Sequence, residues 1–199
     1  MRHITNNLPA LIGSRICHDL ISPIGAIANG LELMQMSGAT LTPEAALISE
    51  SVENANARIR FFRVAYGMAS AQQPMGRVEV VSILKAVAQG SRVSYHWGPL
   101  EDIRRTEVRL AFLAAQCLES AMPYGGRITL ARDGDSWVIS GDADKLRALP
   151  ALWSSLATAG SALEVSASEV QFALLPVLLE EAGRTIRLQM TDQSIMMQF

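Results

Sequence analysis

Residues 12–34 read IGSRICHDLISPIGAIANGLELM, and the spacing of their apolar side chains decides the N-terminal architecture. Ile12, Ile16, Leu20, Ile24, Ile27, Leu31 and Met34 recur first at every fourth residue and then in alternating steps of three and four. That is a helix with a narrow buried seam. Asn6 or Asn7 can cap it, with Pro9 in its opening turn, where a missing N–H costs little. Ser37-Gly38 ends it, and Gly38 suits a left-handed cap. Thr42-Pro43-Glu44 then opens a second helix with a cap, a proline and an acid in the first turn. Its seam runs Ile48, Val52, Ala55, Ile59, Phe62, Tyr66 and Ala69. Gln72, Gln73, Pro74 and Gly76 break the pattern, so residues 1–73 are expected to form an antiparallel helical hairpin. Two helices of about 28 residues are each ~40 Å long. A lone hairpin leaves both seams uncovered. A second copy would complete a four-helix bundle, so a homodimer is expected; packing against the second half of the chain is the competing solution.

Residues 77–199 follow a different period. Short β-like runs fall at Val78–Val81, Val93–Trp97, Arg127–Ala131, Trp137–Ser140, Thr185–Met190 and Ser194–Phe199. Asp133-Gly134 between two of them is a hairpin signal. Helical runs fall at Ser82–Gln89, Thr106–Met122, Asp144–Leu156 and Ser168–Ala182. Ser166 and Glu169 have capping-box spacing, and Pro176 should kink or shorten the last helix. The pattern predicts an α+β sandwich, one mixed sheet with helices on one face.

Composition narrows the function. The 17 basic and 19 acidic side chains among 199 residues leave a net charge of -2, which argues against binding nucleic acid by phosphate neutralisation. No apolar run reaches the ~18 residues of a membrane span, and Arg15, His18 and Asp19 interrupt any signal-peptide core. Cys17 and Cys117 form no C-x-x-C, so no zinc site or redox dithiol is signalled, and a reducing cytoplasm fits. Only Lys85 and Lys145 are lysine; the other basic residues are arginine, suited to bidentate pairing with carboxylate or phosphate, although genomic base composition explains the bias equally well.

On the first helix, Ser14, His18, Ser22, Gly25 and Asn29 form a stripe opposite Ile16 and Leu20. His18 is therefore expected to be exposed among small neighbours. A neutral imidazole is a competent nucleophile near neutral pH, because its pKa of ~6.5 leaves most of it unprotonated. Asp19 can orient it by bonding one ring nitrogen. Pro23 inside the helix costs up to ~3 kcal/mol and bends the chain just past the histidine. A lone histidine on a helix face is ordinarily incidental, and the same holds for His3 and His96. Cys17 reads as packing, and Ser22 equally as a hydroxyl that donates a hydrogen bond to phosphate or as a cap for the turn broken by Pro23.

The run Cys17-His18-Asp19-Leu20-Ile21-Ser22-Pro23 is similar to the H-[DE]-x-x-x-P phospho-acceptor motif of sensor histidine kinases. With Gly30-Leu31-Glu32-Leu33-Met34 and Phe62-Arg63-Val64-Ala65-Tyr66-Gly67, it resembles the alphaproteobacterial ChpT-type histidine phosphotransferases. The resemblance spans the chain in length and element order, and is specific in the first 70 residues. It implies a dimeric phosphorelay intermediate whose His18 takes a phosphoryl group from an aspartyl phosphate on one receiver domain and passes it to another. It also implies a second domain similar to a histidine-kinase ATPase domain that has lost nucleotide binding. Such a domain needs an Asn-x-x-x-Asn helix to hold metal and phosphates; here the matching positions read Gln116 and Ser120. The D-x-G-x-G adenine loop is replaced by Ser140-Gly141-Asp142-Ala143-Asp144-Lys145, and there is no glycine-rich lid. ATP-driven autophosphorylation is therefore not expected.

If the turn centres near Thr40, His18 lies level with about Phe62. Arg58, Arg60 and Arg63 surround that level, and an arginine rim would steer an acidic receiver pocket and hold phosphoryl oxygens. Pairing of these arginines with Glu50, Glu53 or solvent is the plain alternative. The expected partner-binding set is Ser14, Ser22, Gly25, Asn29, Arg60 and Arg63. Expected partners are a second copy of the chain, and receivers of a hybrid histidine kinase and of response regulators, with no nucleic acid and no membrane. No metal or cofactor is expected on this chain; Mg²⁺ would sit on the receiver. Two other readings remain: a non-catalytic dimeric module that docks response regulators, and an active kinase with an unusual nucleotide site.

Overall fold

The computed structural model describes residues 13, 20–21, 24–34, 36, 42–68, 70, 73–147, 149–157 and 165–199. Residues 24–34 are helical and are called α1. Helix α2 spans Pro43–Ala65. It starts as the sequence dictates, with Thr42 accepting from the Ala45 N–H at 3.3 Å, Pro43 in the first turn and Glu44 beside the helix N-terminus. The expected caps at Asn6, Asn7 and Ser37-Gly38 lie outside the described residues.

The remaining order is β1 (Pro74–Met75), α3 (Arg77–Gln89), β2 (Val93–Trp97), β3 (Ile103–Arg104), α4 (Arg105–Ser120), β4 (Gly126–Asp133), β5 (Ser136–Asp142), α5 (Pro150–Leu156), α6 (Val170–Glu181), β6 (Arg187–Met190) and β7 (Ser194–Gln198). Five strands form one mixed sheet in the order β2-β4-β5-β7-β6. Only β2 and β4 run parallel; the other neighbours are antiparallel. The β4–β5 hairpin closes at Asp133-Gly134, with Gly134 at φ 57°, a conformation that favours glycine. A separate β1–β3 pair, which the sequence does not signal, ties Met75 to Ile103 just after the expected break.

Alternation along the strands places Ile128, Leu130, Trp137, Ile139, Ile195 and Met197 in the core. Helix α4 packs on β4 and β5 with one side and on α2 and α6 with others. Val108, Ala111, Phe112, Leu113, Ala114, Cys117 and Leu118 are fully buried, and the alanines let neighbouring backbones approach. Glu107 is the acceptor at one end of this layer, taking Trp137 Nε1–H at 3.0 Å and Arg184 Nη2–H at 2.9 Å. Both charges are mostly buried but paired, and a neutral donor fills a further carboxylate lone pair.

Two expectations need correction. Val78–Val81 is not a strand but the start of α3. Its buried residues Val80, Ile83, Leu84 and Val87 have helical spacing, and Val78 is left exposed. β-branched residues in a short window imitated a strand, and the longer apolar period prevailed. The run Asp144–Leu156 is helical only over Pro150–Leu156. Pro150 excludes Leu149 from the helical region, and the Arg147 N–H is spent on the Ala121 carbonyl at 2.8 Å. Pro176 lies inside α6, which spans Val170–Glu181, and the expected Ser166–Glu169 capping box is present, closing a 3-10 turn over Ala167–Glu169 before the helix.

The second half of α2 belongs to the sandwich core. Ala57, Phe61, Val64 and Ala65 are buried in one cluster with Phe112, Leu84 and Ile128. The Phe61 and Phe112 rings stack at 4.4 Å and 11°. So the competing solution, packing against the rest of the chain, holds for residues 57–65. It leaves the seam incompletely covered: Val52, Ile59 and Leu31 are buried, whereas Leu20, Ile27, Met34 and Ile48 are each 45–49% exposed.

Truncating the shared ring tests this packing. Phe61→Ala should cost about 3–5 kcal/mol, read as a lower urea midpoint. Val78→Ala, on an exposed position, should stay within about 0.5 kcal/mol of the parent. Equal effects in the two variants would contradict the core assignment.

Candidate functional site

Four of the expected site residues, Ser14, His18, Asp19 and Ser22, lie outside the described residues. Gly25 and Asn29 are helical on α1, the first half-buried and the second exposed. Their four-residue spacing puts them on one helix face. Gly13 fixes one relation between the N-terminal segment and α2: a Cβ on it would lie 3.4 Å from the Tyr66 carbonyl oxygen.

The three arginines on α2 have different surroundings. Arg58 pairs with Glu119 of α4 at 3.8 Å, not with Glu50 or Glu53. Arg60 is exposed and makes one long contact from Nη2 to Ser82 Oγ at 3.5 Å. Arg63 is exposed, and its carbonyl accepts from Arg105 Nη2 at 2.9 Å. Partial burial, then the charge of Arg63, holds the Arg105 pKa below its usual range, against the opposing pull of Glu79. Arg60, Arg63 and Arg105 therefore gather positive charge at the last turns of α2. Arg105 was not legible as part of this group, because it starts a helix 42 residues further along the chain.

One face of α4 meets α2 along its whole length. Its residues are Arg105, Arg109, Phe112, Gln116 and Glu119, spaced at i, i+4, i+7, i+11 and i+14. Arg105 bonds the Arg63 carbonyl, Arg109 Nε bonds the Ala65 carbonyl at 3.1 Å, Phe112 stacks on Phe61, Gln116 Oε1 accepts from the Tyr66 hydroxyl at 2.7 Å, and Glu119 faces Arg58. The two arginines satisfy carbonyls left over at a helix C-terminus and meet its negative dipole end. Repeating Arg at i and i+4 on the opening turns of α4 was the available sequence signal.

Gln116 and Ser120, expected from the sequence to match the metal- and phosphate-holding asparagines of ATPase domains, sit in this layer. Gln116 is engaged by Tyr66. Ser120 Oγ donates to the Gln116 carbonyl at 3.0 Å and accepts from Gln171 Nε2 at 2.9 Å. Gln171 is buried and also donates to the Ser168 carbonyl. A cavity of about 380 Å³ lies between α2, α4 and the start of α6, walled by Arg58, Phe62, Tyr66, Gln116, Ser120 and Gln171. In place of the adenine loop, Gly141 presses on α4: a Cβ there would lie 3.2 Å from Leu118 and Met122 side-chain atoms. A second, open cavity of about 870 Å³ at the end of the sheet, near Arg92, Arg127 and Lys145, includes none of the expected site residues. Among the described residues, no cluster of three or more His, Cys, Asp or Glu could hold a metal, and no helix is long and apolar enough to cross a membrane.

Residues 77–194 match the family model of the histidine phosphotransferase C-terminal domain. The chain is 32% identical over 195 residues to the protein phosphotransferase ChpT of Brucella abortus (strain 2308), covering 95% of this chain and 93% of that protein. The chain belongs to the ChpT-type histidine phosphotransferase family. A solved structure of a bacterial phosphotransferase, 28% identical, shares the fold: it superposes with a TM-score of 0.69 over 100% of this chain and 97% of the other.

Three acids in this layer are held neutral. Burial raises the Cys117 thiol well above its ordinary range. Burial first, then nearby Cys117 and Glu119, raises the Tyr66 phenol. Burial, then Glu119, raises that of Tyr95. Each folded pKa exceeds its unfolded value, so the stabilisation is full below the unfolded pKa and is lost as pH rises above it. Unfolded values near 8.5 for Cys and 10 for Tyr place the onset of alkaline loss at about pH 9. Urea midpoints from about pH 7.5 to 11 should fall beyond that point, and Cys117→Ala should remove the earlier part of the decline. A flat profile across that range would contradict the burial of these groups.

Proposed function

We propose that the chain is a phosphoryl carrier of a two-component phosphorelay, with His18 as the acceptor. Its unprotonated ring nitrogen attacks the phosphorus of an aspartyl phosphate on one receiver. The N–P bond forms, the acyl P–O bond breaks, and the receiver carboxylate leaves. Asp19 accepts a hydrogen bond from the other ring nitrogen and supports the charge that develops on the imidazole. The reverse step delivers the group to a second receiver. The transition state is loose, so positioning and charge neutralisation dominate. The receiver brings its own acidic pocket and Mg²⁺; this chain brings the nucleophile and a docking face formed by Ser14, Ser22, Gly25, Asn29, Arg60 and Arg63.

The observation that carries this reading is the use made of Gln116 and Ser120. Both are bonded inside the fold, to Tyr66 and Gln171, where an ATPase would need them free for metal and phosphate. Phosphoryl groups then come from another phosphoprotein rather than from ATP, which is what the family and the His18-to-Pro23 motif support.

The same reading has residues 1–73 form a helical hairpin that dimerises into a four-helix bundle, followed by the degenerate ATPase-like domain at 77–199. Half-exposed Leu20, Ile27, Met34 and Ile48, all at seam positions, support it, because a second hairpin would cover them. A relay between receivers of this kind operates in the cytoplasm, and so would this chain.

A phosphorylated receiver is the direct probe. Label should pass to the wild type in an acid-labile, base-stable form and be absent from His18→Ala. Binding of the receiver with no transfer to wild type would favour a non-catalytic docking module. Ile27→Glu with Ile48→Glu should shift sedimentation from dimer to monomer; a dimer unchanged by both substitutions would refute the seam as the interface.

A further inference from the structure

The five-residue face of α4 is unusual for a packed helix pair, because four of its five contacts to α2 are polar. An apolar seam tolerates slippage. Donors and acceptors at 2.7–3.1 Å fix register, since a shift of one residue breaks them together. Tyr66 is the junction of this arrangement. Its hydroxyl donates to Gln116 on α4, its backbone N–H closes α2 on the Phe62 carbonyl at 2.8 Å, and its ring meets Phe62 edge-on at 5.7 Å. Gly13, five residues before His18, lies against its backbone, where a Cβ on Gly13 would be 3.4 Å from the Tyr66 carbonyl oxygen.

We propose that Tyr66 is a positioning residue: through its bond to Gln116 it sets the register of α4 against the end of α2, and so the placement of the second domain against the N-terminal segment that leads from Gly13 to His18. This rests on the reading of His18 as phospho-acceptor. The physical reason is proximity. Arg105, on the same face, stands against Arg63, so a receiver docked on the proposed Arg60–Arg63 surface would border the start of α4. A small change in the register of α4 against α2 would alter that border, and small displacements of reacting groups lower transfer steeply. On this view Gln116 and Ser120 serve the packing: Gln116 holds α2, and Ser120 holds α6 through Gln171.

The test uses the full chain with Tyr66→Phe, which keeps the ring and removes the hydroxyl, and with Gln116→Leu. At saturating phosphorylated receiver, Tyr66→Phe should slow transfer about tenfold, with receiver affinity within about twofold of wild type. Gln116→Leu should match it, and the double variant should be no slower than either, because one bond is lost in all three. Amide exchange across residues 57–66 should accelerate in each. Wild-type transfer by Tyr66→Phe, multiplying losses in the double variant, or loss of affinity in place of rate would overturn the proposal. If the wild type itself takes no label, the phosphotransfer reading fails. Amide exchange then decides the register contact alone, and unchanged exchange in Tyr66→Phe refutes it.

Discussion

Helix α2 has to satisfy two neighbours at once, and the rest of the molecule is arranged around that constraint. Its seam, with Val52 and Ile59, turns one way, while Ala57, Phe61, Val64 and Ala65 turn into the α+β core and end on the stacked Phe61–Phe112 pair. A helix with one narrow stripe would serve either neighbour. Over its last three turns α2 buries Ala57, Ile59, Phe61, Val64 and Ala65 and exposes Arg58, Arg60 and Arg63, whereas over its first half it buries only Val52.

This sharing ties α2 directly to the sandwich. The Gln-Pro-Gly stretch at 72–76 looks like a hinge in composition, yet β1 within it pairs with β3 and the Gln73 carbonyl accepts from the Arg105 N–H at 2.7 Å. The segment is stitched to the same α4 terminus that grips Arg63 and Ala65. Positive charge at that terminus is also brought together by packing: the guanidinium of Arg105 lies near enough to Arg63 to feel its charge, at the negative end of the α2 dipole. An anionic partner approaching the last turns of α2 would meet side chains from both halves of the chain.

Much of the fold was legible. β2 falls on the predicted Val93–Trp97, the β4–β5 hairpin turns at Asp133-Gly134, and α2 begins at the Thr42-Pro43-Glu44 signal. These features are set by a few adjacent residues, so local chemistry suffices. The misreadings had tertiary causes. Val78–Val81 became helical because Val80, Ile83, Leu84 and Val87 are buried together, and residues 144–149 stayed irregular because Pro150 and a backbone bond to Ala121 claim them. Of the candidate site, the expected Arg60 and Arg63 are exposed on α2, while His18 and Asp19 lie outside the described residues. How Gln116, Ser120, Arg105 and Arg109 are employed was not legible.

The order of residues by itself determined where α2 begins, where β2 and the β4–β5 turn fall, and which of their faces are apolar. Those properties follow from spacing, capping and side-chain chemistry within a few residues. Tertiary structure decided which apolar face of α2 the sandwich takes, that Arg58 answers Glu119 and not its helical neighbours, and that Tyr66 finds Gln116 fifty residues away. The reason is that such pairings depend on how helices cross and at what register, and that is set by the simultaneous fit of many buried side chains, of which no local window contains more than a part.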